Sequence, residues 1–350
     1  MQDQALVAIP NQPEEPLGHN STGQKLSSPN MQLQGHKGDV FCTKFSHCGN
    51  FLASGGHDRL ILIWDVFEPK VRNLGYCKGH KSAILDMTWD HGVEQGSSDP
   101  PRLHSCGADK QIISWDMADF SRIRSYRGHE DVVNSVDVSY LDQSQNMTSL
   151  QYDMLVSGSN DCTLKLWDVR EKKYSASFKV GFQVTSVAFS NGNNLIFFAG
   201  IDNTIRGLNL RKHLVEYTLV GHTDTVTSIS LSPSGNYLLS NAMDNTVRMW
   251  DVRPYTQNQT REERVFIGAT HNFEKNLIKC CWSGDEKLVS AGSADRTVNV
   301  WEVESGNLKH RLGGHNGSVN ETALHPNSSI IASASSDKTV WLGELGAESV

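Results

Sequence analysis

The sequence predicts an all-β fold, a seven-bladed β-propeller closed by an N-terminal strand. Three observations point there. An Asp recurs at Asp58, Asp109, Asp161, Asp202, Asp244, Asp295 and Asp337, at intervals of about forty to about fifty residues, the length of one four-stranded blade with or without an insertion. Six residues after five of them stands a Trp followed by an acid: Trp64-Asp65, Trp115-Asp116, Trp167-Asp168, Trp250-Asp251 and Trp301-Glu302. Around these dipeptides run short β-branched segments, LILIWDV, LKLWDV, VRMWDV and VNVWEV, bounded by Gly, Ser, Asn and Asp. That is the composition of strands and turns, and no helical period competes with it.

A Gly-His dipeptide opens most of the repeats, at Gly35-His36, Gly79-His80, Gly128-His129, Gly221-His222 and Gly314-His315. Gly-His and Trp-Asp at this spacing resemble the WD-repeat family. The resemblance implies a hydrogen-bonded tetrad in each blade, made of the histidine, a hydroxyl, the turn Asp and the Trp. The implied set in blade one is His36, Ser54, Asp58 and Trp64, and in blade two His80, Ser105, Asp109 and Trp115. In blade three it is His129, Ser157, Asp161 and Trp167, and in blade five His222, Ser240, Asp244 and Trp250. The chemistry is reasonable, because a partly buried carboxylate needs donors around it and a buried indole needs an acceptor for its N–H.

The other blades depart from the pattern. Blade four keeps Asp202 but has neither the Gly-His nor the Trp. Blade six has His271, Asp295 and Trp301, with Ala291 at the hydroxyl position. Blade seven keeps His315, Ser333 and Asp337 but has Gly343 at the Trp position. Trp341, two residues earlier, is expected to point to the other sheet face. Few residues follow Trp341, so blade seven lacks an outer strand of its own. Residues 28–34 (SPNMQLQ) are the expected donor, and the closure would remove an exposed sheet edge.

These elements divide the chain into an arm over 1–27, poor in aromatics and rich in Gln, Asn, Pro and Ser, a propeller over 28–346 and a tail over 347–350. Insertions are expected at 90–101, 140–152 and 253–276. The last mixes Tyr255, Phe266 and Phe273 with charges, as binding loops often do.

Composition excludes several function classes. Lys+Arg is 32 against 39 Asp+Glu, a formal charge of −7, which argues against a protein that coats nucleic acid through counterion release but leaves local basic patches open. No apolar run reaches the roughly 18 residues of a membrane span. Seven cysteines without a C-x-x-C pair suggest buried apolar thiols in a reduced compartment rather than a disulfide framework. Phosphate-binding, metalloprotease and nucleophile-elbow motifs are missing. The His, Ser and Asp sets recur once per blade, whereas a catalytic triad needs a single site. The histidines lie on different blades, each with an Asp nearby, so they do not converge on a metal. The chain is therefore expected to be no enzyme, without cofactor or metal and without a small-molecule substrate.

Longer stretches carry a closer resemblance. SNAMDNTVRMWDVRP (240–254), THNFEKNLIKCCWS (270–283), SAGSADRTVNVW (290–301) and SASSDKTV (333–340) resemble the forty-kilodalton WD-repeat subunits of the U5 small nuclear ribonucleoprotein. The HNFEKN segment is the most specific of these, since propeller physics does not require it. The resemblance implies a nuclear, non-catalytic scaffold of the spliceosome in pre-mRNA splicing. Its partners would be large spliceosomal proteins of the U5 particle, with indirect or limited RNA contact left open, no membrane and no homo-oligomer. A second reading rests on Trp167-Asp168-Val169-Arg170 and Trp250-Asp251-Val252-Arg253. Such W-D-x-R boxes are similar to those of substrate receptors that dock onto a cullin ubiquitin-ligase adaptor. Candidate partner-binding residues follow from position, beside the turn Asp or after Gly-His on one propeller face: Asp39, His57, Arg59, Thr225 and Lys275, with Phe273 as apolar anchor.

Overall fold

A computed structural model describes residues 26, 28–67, 71–90, 101–139, 154–192, 194–256 and 260–346. Among them there is no helix. Twenty-eight strands form seven four-stranded antiparallel sheets. In six blades the four strands are consecutive in the chain. The innermost strands contact one another in sequence around a ring, and Val319–Leu324 of blade seven returns to Val40–Phe45 of blade one.

Blade seven is completed from the other end of the chain. Asn30–Gln34 pairs antiparallel with Thr339–Glu344, with Asn30 opposite Gly343 and Gln34 opposite Thr339. Leu33 is buried in the core between blades seven and one. Leu26, which falls within the expected arm, is buried there too, and its N–H donates to Glu344 Oε1 at 2.7 Å. The rest of the expected arm, the tail, the 140–152 insertion and nearly all of the 90–101 insertion lie outside the described residues.

The residue types follow the position of each strand. Inner strands such as Val184–Phe189 are buried along their whole length, so they combine Val, Ile and Phe with small hydroxyls that find partners. Outer strands such as Tyr174–Lys179 are mostly exposed and polar. The Trp of the third strand fills the space between blades, and Trp115, Trp167, Trp250 and Trp301 are among the largest fully buried side chains. All seven cysteines are free, and Cys42, Cys77, Cys106, Cys280 and Cys281 are buried, as small apolar residues.

The turn that carries the repeated Asp has one geometry throughout. The next residue is left-handed in every blade: Arg59, Lys110, Cys162, Asn203, Asn245, Arg296 and Lys338 have φ between 61° and 70°. This conformation turns the chain tightly enough for the Asp carboxylate to cap the N–H two residues on, as Asp58 does for Leu60 and Asp244 for Thr246.

Candidate functional site

One face of the propeller carries both the Asp turns and the connections that hold the histidines. The four tetrads expected from the sequence all form, with every side-chain link between 2.7 and 3.0 Å. In blade one His36 Nδ1 meets Asp58 Oδ2 and its Nε2 meets Ser54 Oγ, which also receives Trp64 Nε1–H. In blade two His80 lies between Asp109 and Ser105, and Ser105 Oγ accepts Trp115 Nε1–H at 2.8 Å. In blade three His129 lies between Asp161 and Ser157, and Ser157 Oγ accepts Trp167 Nε1–H at 2.9 Å. Blade five repeats the arrangement with His222, Asp244, Ser240 and Trp250. An indole only donates and a carboxylate only accepts, so the chain runs one way: Trp N–H to Ser, Ser O–H to His Nε2, His Nδ1–H to Asp. The same Asp oxygen accepts the N–H after the histidine, from Lys37, Lys81, Glu130 and Thr223. The unit is a clasp that ties each connection to the turn beside it.

The four hydroxyls are not residues that a ligand or partner can touch. Ser54, Ser105, Ser157 and Ser240 are all 0% exposed, because each lies on the second strand of its blade beneath the histidine ring and the indole. Their place in the pattern is therefore internal: Ser105 and Ser157, like the other two, hold the clasp shut and present nothing to the face above it.

These contacts set the charge of the clasp. Burial by itself would raise the Asp58, Asp109 and Asp244 carboxyls. The histidine hydrogen bonds and the other donors outweigh it and hold all three below the usual carboxylate range. At Asp161 burial is likewise outweighed, chiefly by the Thr163 hydroxyl and the Glu130 N–H. Burial pushes His129 down despite Asp161. Every polar atom of the clasp has a partner, so its histidine and serine are committed to structure rather than poised for chemistry.

Blade seven corrects one expectation. His315 bonds Asp337 and Ser333, both at 2.8 Å. Trp341 does not point to the other face. Residues two apart on a strand share a face, so Trp341 lies on the side of Gly343. Its ring packs edge-on against His315 at 5.9 Å, close to the His222–Trp250 separation of 6.0 Å. The indole reaches the clasp from the wrong register, and its buried Nε1 finds no partner among the described residues. Blade six forms no clasp. Asp295 binds Thr297 and Arg311 instead of His271. His271 turns to blade five, where its backbone N–H donates to Asn245 Oδ1 at 2.6 Å and its ring Nε2 lies 3.4 Å from Asn241 Oδ1. Burial pushes this imidazole down to about 4. Trp301 Nε1–H donates to the Ile267 carbonyl.

The candidate partner residues lie on the clasp face but do not form one cluster. His57 and Arg59 flank Asp58 on blade one and are exposed. Asp39 and Thr225 are half-buried, and their carbonyls accept turn N–H groups from His57 and Met243. Phe273 and Lys275 stand on the connection into blade six, both exposed, Phe273 at 91%. Phe273 therefore does not plug the top of its blade. The sequence reading missed three apolar residues on the same rim: Ile201 on the turn of blade four, Val220 at 66% exposure and Ile267 at 74%. Val220 and Ile267 each stand opposite the Thr that starts the third strand, a place held by Lys78, Arg127 and Lys179 in blades one to three. Aligning that one position across repeats would have revealed the switch.

A second polar system lines the central channel. On five of the seven inner strands one residue reaches across to the next blade's backbone N–H: Asp86 to Val136, Ser135 to Val187, Ser186 to Ile229, Ser228 to Cys280 and Glu321 to Thr43, at 2.8–3.3 Å. In blade six Lys279 holds this position, opposite Gly292, and an ammonium cannot accept. It spans the channel instead to Asp86, the Leu85 carbonyl and Glu321, while Lys44 pairs with Glu321 Oε1 at 2.8 Å. Burial would lower Lys279 and raise Asp86, but each is outweighed by the opposite charges around it, and both stay ionised. Beyond this plug the channel holds a cavity of about 190 Å³, lined among others by Thr88, Asp137 and Ser230. Asp137 faces no cation within ion-pair distance among the described residues, and burial pushes its carboxyl up to about 6.

The W-D-x-R arginines lie past the end of the third strand, away from the clasps. Arg253 is forked onto Asp251, with Nε to Oδ1 at 2.9 Å and Nη2 to Oδ2 at 2.6 Å. Arg170 is exposed, and its backbone N–H donates to Asp168.

Comparison with known proteins agrees with this architecture. The family described as "WD domain, G-beta repeat" matches residues 27–65, 120–168, 214–251, 264–302 and 306–342. The pre-mRNA-splicing factor cwf17 of Schizosaccharomyces pombe is 42% identical over 91% of this chain and 88% of its own length. The U5 small nuclear ribonucleoprotein 40 kDa protein of Dictyostelium discoideum is 42% identical over 94% of this chain and 88% of its own. The human protein of that name is 42% identical over 91% and 85%.

Proposed function

The chain belongs to the WD-repeat family and, within it, to the group of the U5 small nuclear ribonucleoprotein 40 kDa proteins, and from that membership we propose that it is a non-catalytic scaffold subunit of the spliceosome, working in the nucleus. The observation that carries this reading is the 42% identity to cwf17 spread over nine-tenths of both chains. Likeness of that extent spans the whole ring rather than single repeats. The clasp chemistry supports the non-catalytic part, because the groups that mimic a triad recur around the ring and are spent on one another.

Large protein partners engage the apolar arc of the clasp face. Phe273, Ile267, Val220 and Ile201 stand exposed on blades four to six, with Lys275 and Thr225 beside them. Exposed large side chains on a rigid rim are what an interface uses as anchors. His57 and Asp39 extend the face on blade one. The test is capture from nuclear extract with tagged full-length chain. U5 RNA and large splicing proteins are expected in the eluate. Recovery of cullin and its adaptor instead would favour the W-D-x-R reading and overturn this one. Phe273→Ala combined with Ile267→Ser should reduce the captured splicing proteins at least about tenfold, as loss of two anchors does, while the melting temperature stays within a few degrees.

A further inference from the structure

The chain is acidic overall, yet the clasp face is electrically divided. Around the two clasps of blades one and two stand Lys37, Arg59, Lys78, Lys81, Lys110 and Arg127, all exposed. The clasps themselves place them. Lys37 and Lys81 follow the histidines and give their backbone N–H to Asp58 and Asp109. Arg59 and Lys110 follow those Asp residues in the left-handed conformation that carries the side chain outward, with φ of 67° and 65°. Lys78 and Arg127 end the outer strands at the rim, opposite Leu60 and Gln111. None of the six enters an ion pair among the described residues; Lys179, Arg296 and Lys338 at the matching places of blades three, six and seven are unpaired too, but they come one to a blade, against three to a blade in blades one and two. Lys110 Nζ donates to the Glu130 carbonyl and Arg127 Nε to Gln111 Oε1, contacts that orient a cation without neutralising it. Glu130 bounds the group toward blade three.

We propose that this sector, blades one and two of the clasp face, binds the phosphodiester backbone of RNA. Six unneutralised cations on neighbouring rims form a lattice of charges on a rigid frame, which suits a chain that carries one charge per nucleotide. A folded protein partner docking here would be expected to use apolar anchors as well. Those of this face stand on blades four to six instead, at Ile201, Val220, Ile267 and Phe273. Recognition by cations alone follows the backbone and carries no sequence preference. The same ring would hold protein on one arc and RNA on the other. The choice of RNA among polyanions rests on the splicing reading, but the surface is tested on the purified chain, so the two can fail separately.

The experiment titrates full-length protein into a fluorescein-labelled RNA stem-loop across a salt series, with polyglutamate as a second probe. The comparison is between Lys78→Glu/Lys81→Glu/Lys110→Glu and Lys172→Glu/Lys173→Glu/Lys287→Glu. The second set makes the same change in net charge at exposed lysines on the opposite face. The clasp-face variant should weaken RNA binding at least about tenfold and lower the slope of log Kd against log salt by about two to three, three phosphate contacts having been lost. The opposite-face variant should stay within about twofold of the parent, since exposed charges beyond a Debye length are screened. If charge reversal disturbs folding, the Gln versions of the same three positions carry the test. Equal losses in the two variants, no salt-dependent binding by the parent, or tighter binding of polyglutamate than of RNA would each overturn the proposal.

Discussion

Blades five and four are neighbours with the same strand order, and they solve one joint in opposite ways. In blade five the joint is polar: His222, Ser240, Asp244 and Trp250 close a chain of hydrogen bonds. Blades two and three use the same solution, with Ser105 and Ser157 as the buried hinge of the chain. In blade four the same places are apolar. Phe198 stands at the hydroxyl position, opposite Arg206 as Ser240 is opposite Arg248, and Leu208 stands at the Trp position. Phe182, in the connection that elsewhere carries the histidine, stacks on Phe198 with ring centroids 6.0 Å apart. Asp202 is left outside this cluster, capped by Thr204 and paired with Arg206, which lies over the Phe182 ring. The comparison teaches that the joint works when it is wholly polar or wholly apolar. A buried polar group is stable when every partner is present, and a core is stable when none is needed. Blade six shows the intermediate case, where losing the hydroxyl at Ala291 coincides with a His271 whose Nδ1 has no partner among the described residues.

The sharpest way to break this comparison is to mix the two solutions. Phe198→Ser places the blade-five hydroxyl into blade four without its histidine or indole. It should cost about 3–5 kcal/mol in chemical unfolding, because a buried ring is lost and the new hydroxyl is unsatisfied. A loss below about 1 kcal/mol would show that blade four can rebuild a polar joint.

Blade six offers the next largest effect, in the channel rather than at the clasp. Blade five uses a neutral acceptor, Ser228, where blade six has Lys279. Lys279→Met leaves Asp86 and Glu321 with Lys44 as their remaining cation and should cost about 3 kcal/mol. Measured alongside it, Lys279→Met/Asp86→Ser should recover part of that loss, since the uncompensated charge is removed.

Asp244→Ala and Asp202→Ala compare the two turns directly. The first strips the acceptor from His222 and from the Thr223 and Thr246 N–H groups and should cost about 1–3 kcal/mol. The second loses a surface-facing pair with Arg206 and should cost less than about 1 kcal/mol. Equal melting shifts in the two variants would mean that the turn, not the clasp, is what the Asp serves.

Acid should act on the polar joints in a defined direction. The folded carboxyls of Asp58, Asp109, Asp161, Asp244 and Asp337 lie below the usual range, so their contribution is full above that range and lost as pH falls through it. Burial lowers His129 and His315, so the unfolded chain takes up protons first and loss begins below about 6.5. Stability should therefore fall steadily from near neutrality into acid. The Asp244→Ala protein should show a shallower acid limb, which denaturant midpoints between neutral and acid pH will report.

The smallest effect concerns the left-handed turn residue. Blades four and five have Asn203 and Asn245 there, and blade seven has Lys338 at φ 70°. Lys338→Asn should raise stability by about 0.5 kcal/mol, because Asn tolerates this region better than Lys. A fall in melting temperature would mean that the Lys338 side chain contributes something the backbone argument leaves out.

Much of this was legible in residue spacing. His36, Ser54, Asp58 and Trp64 recur at offsets that a strand and its turn translate directly into contact, and Phe273 was visible because propeller physics does not require it. The face of Trp341 is set by strand parity, since residues two apart share a face, and this places it against His315 rather than across the sheet. The failure of His271 to reach Asp295 had one visible sign, Ala291. The rim is written in the residues that end each outer strand, Lys78, Arg127 and Lys179 against Val220 and Ile267, a place that varies from blade to blade and so lies outside the repeat.

The sequence by itself determined the blade count and the clasps, because each depends on periods and offsets within about fifty residues of chain. The closing strand was legible for another reason: it joins opposite ends of the chain, and the last repeat shows no fourth strand of its own. The tertiary structure alone decided what meets across the ring. Lys279 reaches Asp86 from 193 residues away and Glu321 reaches the Thr43 N–H from 278 residues away. No local pattern encodes those distances, since they exist only once seven sheets have closed around one axis and brought every inner strand within a side chain's length of the same channel. The division of the clasp face into a basic and an apolar arc arises in the same way, from charges that are scattered along the chain and adjacent only on the ring.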